Sequence, residues 1–198
     1  MEDYMYNEYL AIIKPNEPVK SDLKIFKQIC KDEYGWASSP AHFTVFNLLQ
    51  PTSNEKRFIQ CFERNISNFS PFQIDLFGFN YFSGSTCTLY VRLKEENEFS
   101  KLVRYIRKFC KPILRPVKNY SPHYNTNNAH LTVAKGILIS DFLKIWPSWK
   151  NLQYQSSTTA DRIFLLKRPF TETNSNYEII GEYSFLGQDT QESQMTLF

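Results

Sequence analysis

Three histidines occur in this chain of 198 residues, and two of them open the same four-letter phrase. The phrases are His42-Phe43-Thr44-Val45 and His130-Leu131-Thr132-Val133, and 130 − 42 places them 88 residues apart. Along a β-strand the side chains at i and i+2 point to one face, so each His shares a face with its Thr while the apolar residues turn into a core. Two such strands side by side bring two imidazoles and two hydroxyls to one spot. An imidazole titrates near pH 6.5, so of two neighbours the neutral ring can take a proton from water and the charged ring can give one to a departing oxygen. The hydroxyls can donate to phosphoryl oxygens as charge builds on them. That set is sufficient to break a P–O bond of a phosphodiester. No Asp-rich or His/Asp cluster has metal-ligand spacing and no glycine-rich phosphate loop is present, so neither a metal nor another cofactor is expected.

The repeated His-apolar-Thr-apolar phrase, each copy inside a β-type run and set in matching halves, resembles the 2H phosphoesterase superfamily. Within it, the 2′-5′ RNA ligase / RNA 2′,3′-cyclic phosphodiesterase group is most similar. The resemblance runs roughly from residue 6 to residue 185. It implies an α+β, two-lobed fold with pseudo-twofold symmetry, antiparallel sheets lining a central cleft and helices outside. It further implies a metal-independent hydrolase of 2′,3′-cyclic phosphates on RNA ends or small nucleotides, with 2′-5′ ligation as the reverse reaction. By resemblance His42 is the acid serving the leaving group and His130 the base activating water, the roles exchanging in ligation; the residues themselves do not distinguish the two assignments. Lys135 matches a position where the family often has a basic residue, which makes it a phosphate contact or a solvated strand-end lysine. Ala41 and Ala129 stand where many relatives carry proline.

Composition bounds the rest. With 42% apolar and 16% aromatic residues the chain is a folded globule long enough to bury a core. A net charge of +3 does not announce a nucleic-acid binder. The four cysteines, Cys30, Cys61, Cys87 and Cys110, are far apart and form no Cys-x-x-Cys. No signal peptide or membrane-length apolar run is visible. A soluble, cytoplasmic, monomeric enzyme is expected.

The elements follow from periodicity. Residues 6–14 read as a buried strand ended by Pro15. Val19, Leu23, Phe26 and Cys30 recur at i, i+4, i+7 and i+11 of a helix that Gly35 stops. The first motif strand covers 41–49. Thr52-Ser53-Asn54-Glu55 has capping-box spacing before a helix carrying Phe58, Cys61, Phe62 and Ile66. Alternation over 72–76 and 89–93 around Ser83-Gly84-Ser85 predicts a hairpin. A helix spans 99–113, an irregular segment 116–128 feeds the second motif strand, and a short helix after Ser140-Asp141 is disturbed by Pro147. Two strands close the order, near 161–167 and 177–185. Residues 1–187 are expected to form one bilobal domain, since no linker separates them.

Around the motifs the signals are local. Lys101, Arg104, Arg107, Lys108, Lys111, Arg115 and Lys118 run without an acid among them, as the outer face of an amphipathic helix or as a track for an RNA backbone. Tyr120 and Tyr124 can stack a base or pin their loop; His123 lacks the motif and reads as a loop residue. Residues 188–198 form a polar leash ending Gln194-Met195-Thr196-Leu197-Phe198. This terminus resembles the short peptide that binds a bacterial sliding clamp, through Gln194, Leu197 and Phe198; the rival expectation is that it folds back on the protein's own surface. Two alternatives accompany the main reading: a nucleotide- or RNA-binding module of the same fold with little turnover, recruited to the clamp, and an unrelated α+β protein whose histidines sit on distant strands.

Overall fold

The computed structural model describes residues 5–36, 39–170 and 175–187; the leash, with Gln194, Leu197 and Phe198, lies outside the described residues. The apolar run at the start forms β1 (Tyr6–Ile13). The helical stripe after it forms α1 (Val19–Tyr34), stopped where Gly35 takes φ 71 and donates its N–H to the Lys31 carbonyl; only a residue without Cβ adopts that conformation at little cost. The motif strand is β2 (Phe43–Pro51). A single 3-10 turn, Thr52–Asn54, then leads into α2 (Glu55–Ile66).

The capping box expected here does not form. Glu55 instead accepts hydrogen bonds from the Tyr9 hydroxyl at 2.7 Å and the Asn7 amide at 2.8 Å, with Lys167 Nζ at 3.2 Å. Burial works against that carboxylate, yet the donors, Tyr9 and Lys167 foremost, hold its pKa below the ordinary range.

The expected hairpin is β3 (Phe72–Ser83) with β4 (Cys87–Leu93), and the next apolar stripe is α3 (Asn97–Cys110). Inside the segment read as irregular, β5 (His123–Tyr124) adds two residues to the edge of β2. After β6 (His130–Ile137), α4 (Ile139–Asn151) continues past Pro147 rather than stopping at it. The chain ends in β7 (Gln155–Ala160), β8 (Arg162–Pro169) and β9 (Glu178–Ser184). β7 was not expected, because Gln-Ser-Ser-Thr-Thr-Ala offers only Thr158 and Ala160 to the interior.

Two antiparallel sheets result, in the orders β5-β2-β1-β8-β9 and β6-β4-β3-β7. In each, the motif strand lies beside the strand that precedes a helix: β2 beside β1, β6 beside β4. The helices are exchanged between the sheets. α1 leaves the first sheet and packs on the second, where Phe26 meets Phe79, Tyr154 and Trp149 at ring separations of 5.1–5.9 Å. α3 leaves the second sheet and packs on the first, its Phe99 against Phe43 and its Phe109 against Phe62. α2 and α4 stay with the sheets they follow. One apolar core, dominated by fully buried Tyr9, Phe43, Phe46, Phe58, Phe62 and Phe99, joins these layers.

Candidate active site

Each motif strand carries a β-bulge at the same letter of its phrase. In β2 the register passes from Ala11↔Phe46 to Ile12↔Thr44 and leaves Val45 unmatched. In β6 it passes from Leu89↔Ala134 to Tyr90↔Thr132, so that Val133 is the extra residue of the bulge. A bulge bends its strand and re-aims the side chains beside it. Here both bulges sit directly after the threonines, while Val45 and Val133 themselves stay buried. A second irregularity, with Gly136 at φ 74, bends β6 again beside Lys135.

The two histidines are held alike. Nδ1 of His42 lies 2.8 Å from the Pro40 carbonyl, and Nδ1 of His130 lies 2.7 Å from the Asn128 carbonyl, two residues back in both cases. A carbonyl only accepts, so Nδ1 must carry the hydrogen, and in the neutral ring Nε2 is the basic nitrogen. Asn128 reaches its position with φ 61, a conformation asparagine tolerates, and its N–H donates to Glu96 Oε2 at 2.8 Å.

β2 and β6 approach each other across the sheets, and the charge of His130 acts on His42. Burial lowers the pKa of His42, against the pull of the Pro40 carbonyl, and the charges of Lys27, His130 and Lys135 lower it further. His130 is also lowered by burial, but the Asn128 carbonyl and the Glu96 carboxylate resist. Thr44 and Thr132 lie two residues beyond their histidines and are half-buried. Lys135 is exposed and close enough for its charge to reach both His42 and Lys27.

Besides Glu96, three further neighbours escape a reading of the sequence. Lys27 comes from α1, whose crossing to the second sheet places it beside His42. Phe82 and Tyr90 stack on each other at 4.3 Å and pack on His130 at 4.9 and 5.0 Å. The signal for Tyr90 lay in strand register, since it pairs with Thr132. The loop before β6 ties the two motifs: Asn125, buried, donates its backbone N–H to the Val45 carbonyl and its amide to the Thr44 carbonyl, both at 3.0 Å.

Tyr120 and Tyr124 are not placed beside the histidines. The Tyr120 hydroxyl donates to Asn47 at 3.1 Å, about 10 Å along β2 from Thr44. Tyr124 packs between Phe46 and Arg107, its hydroxyl enclosed and without a hydrogen-bond partner among the described residues. Both line a depression of about 510 Å³ at the far end of β2, which Arg107 and Lys111 share. Among the described residues no three His, Cys, Asp or Glu side chains gather into a metal-binding group, and no helix is long and apolar enough to cross a membrane.

The sheets and the paired histidines define a 2H phosphoesterase fold. The chain belongs to the 2′-5′ RNA ligase superfamily, whose family model matches residues 22–169 and so takes in both tetrapeptides. A comparison with curated proteins by sequence finds no match. Among solved structures, TT0787 of Thermus thermophilus is similar at a TM-score of 0.68 and 16% identity, over 91% of this chain and 99% of that one. E. coli LigT complexed with 3′-AMP is similar at a TM-score of 0.59 and 10% identity, over 91% and 98% of the two chains.

Proposed function

We propose that the chain is a metal-independent phosphodiesterase that opens 2′,3′-cyclic phosphates of RNA ends or small nucleotides, with 2′-5′ ligation as the reverse reaction. The observation that carries this reading is the matched anchoring of His42 and His130 through Nδ1, which leaves the Nε2 of each ring for proton transfer. The solved structures of LigT with 3′-AMP and with phosphate support a nucleotide phosphate as ligand.

In hydrolysis, Nε2 of the neutral imidazole takes a proton from water as its oxygen attacks phosphorus. The bond from phosphorus to one ribose oxygen breaks, and Nε2–H of the charged imidazole protonates that oxygen. One water is consumed, a phosphomonoester forms, and the two rings end with their protons exchanged. Thr44 and Thr132 donate to the non-bridging oxygens, where charge grows, and Lys135 adds a cation at the rim.

The test is product formation from a 2′,3′-cyclic dinucleotide in excess EDTA, with the position of the phosphate read by NMR. Turnover at an undiminished rate is expected. A folded chain without turnover, or one that needs a divalent ion, rules the mechanism out. Recruitment to a bacterial sliding clamp through Gln194, Leu197 and Phe198 is a separate proposal from the sequence, checked by calorimetric titration against the clamp.

A further inference from the structure

The outer face of α1 has a chemistry of its own. Lys20, Lys24, Lys27 and Lys31 recur at i, i+4, i+7 and i+11, one stripe about 16 Å long. With Lys14 and Trp36 they line a groove of about 660 Å³ in whose wall no acidic side chain stands among the described residues. Glu17 stands 4.0 Å from Lys20, but both are well exposed, so this pair neutralises little. Trp36 is half-buried and stacked on Tyr34 at 4.5 Å, which gives the groove an aromatic side.

The groove runs into the candidate active site. Pro40 and Ala41 form its end, and the Pro40 carbonyl is the one that holds His42. Lys27 stands at the junction, donating to the Ser39 carbonyl at 2.7 Å while its charge acts on His42. Burial, with the charge of Lys135 added, pushes the Lys27 ammonium down to about 8. A neighbouring anion would relieve that crowding of positive charge.

We propose that this groove binds the sugar–phosphate backbone of single-stranded RNA leading to the terminal phosphate, so that the substrate is a polymer rather than a mononucleotide. The assignment rests on the phosphodiesterase reading above. A row of cations at helical spacing suits a repeating anion, an aromatic wall suits an unstacked base, and continuity with the histidines fixes which end of the strand enters. It also places the basic track on α1 rather than on α3, the helix that covers the first sheet.

The experiment measures binding of a ten-nucleotide RNA ending in a 3′-phosphate, against the corresponding nucleoside 3′-monophosphate, by fluorescence anisotropy and competition over a salt series. The full chain should bind the RNA at least ~10-fold more tightly, with log Kd changing against log salt at a slope of about 3 in magnitude for four contacts on a single strand. Lys24→Gln with Lys31→Gln should weaken RNA binding roughly tenfold and take about 1.4 off that slope. Arg104→Gln with Lys108→Gln, the same change of charge on α3, should leave RNA affinity within about twofold. Equal affinity for RNA and nucleotide, or equal losses in the two double variants, overturns the groove.

Turnover of a 2′,3′-cyclic mononucleotide by the same preparation separates the two readings. Turnover without preference for RNA overturns the groove alone. Lysine-dependent RNA binding without turnover overturns the phosphodiesterase and leaves the groove as an RNA-binding surface.

Discussion

The His42 and His130 halves share a backbone and differ in charge. Both rings are anchored by the carbonyl two residues back, and both strands are bulged at the valine that closes the phrase. Around His42, however, stand Lys27, Lys135 and His130 itself. Around His130 stand Phe82, Tyr90 and the Glu96 carboxylate. The symmetric part fixes where the nitrogens point, and the asymmetric part decides which holds a proton more readily. The charges of Lys27, Lys135 and His130 work against an imidazolium at His42, whereas the Glu96 carboxylate favours one at His130, and burial lowers both rings. Two halves matched in backbone thus differ in the side chains that surround their histidines.

The largest expected effect tests the shared part. His42→Ala and His130→Ala should each cut kcat by at least about 10²–10⁴, the usual range for a positioned acid or base, measured on a 2′,3′-cyclic dinucleotide with folding checked by circular dichroism. A variant of either kind that is folded and fully active breaks the comparison outright.

Next come the hydroxyls. Thr44→Ala and Thr132→Ala should each cost about 10² or less in kcat, below the ~10²–10³ of a lone oxyanion donor, because the other hydroxyl remains. Strongly unequal losses would show that only one strand faces the developing charge.

The asymmetry is sharpened by titrating the histidines by NMR. Both should titrate below 6.5, since burial disfavours the imidazolium in each. Glu96→Gln should lower His130 further, because an anion is lost. Lys135→Gln should raise His42, because a cation is lost. Shifts of both rings in the same direction in either variant would mean that they titrate as one unit.

The smallest effect is on stability. A histidine held below its unfolded value of about 6.5 binds fewer protons in the folded chain than in the unfolded one as pH drops through that window. Its contribution is fully present above about pH 6.5 and is lost as pH falls through the lowered folded values. The melting temperature should therefore decline from about pH 7 toward about pH 5.5, less steeply in His42→Ala and His130→Ala. The lowered Glu8 and Glu55 carboxyls act only below about 4.5 and do not confuse the reading.

Much of the fold was legible in the sequence, since buried strands and amphipathic helices write their periods into the apolar residues. Val19, Leu23 and Cys30 are buried as their spacing requires, and Gly35 ends α1 where it stands. β7 escaped because a strand faced by Thr158 and Ala160 has little apolar signal, and β5 because two residues make no period. The capping box failed for a tertiary reason: Tyr9 and Asn7 compete for Glu55 and win. At the site, the four motif residues could be found because the phrase repeats. Lys27, Phe82, Tyr90 and Glu96 could not, because their proximity depends on which sheet a helix crosses to and on strand register. Tyr120 and Tyr124 show the converse: although near the second motif in sequence, they sit beside Asn47 and Phe46 instead.

The exchange of helices also governs when this chain can fold as it leaves the ribosome. When α1 emerges, Phe79 of β3, which Phe26 meets, is about fifty residues from being made, and β6, β7 and Trp149 of α4 are on the order of a hundred. The first sheet, in turn, waits for α3 to cover Phe43 and for β8 to pair with β1. The second sheet is complete only with β7 and the first only with β9. In the nascent first half Tyr9, Phe46, Phe58 and Phe62 can pack on one another, but Phe43 and much of the surroundings of Phe26 wait for later elements, so the two lobes, although they mirror each other, mature together.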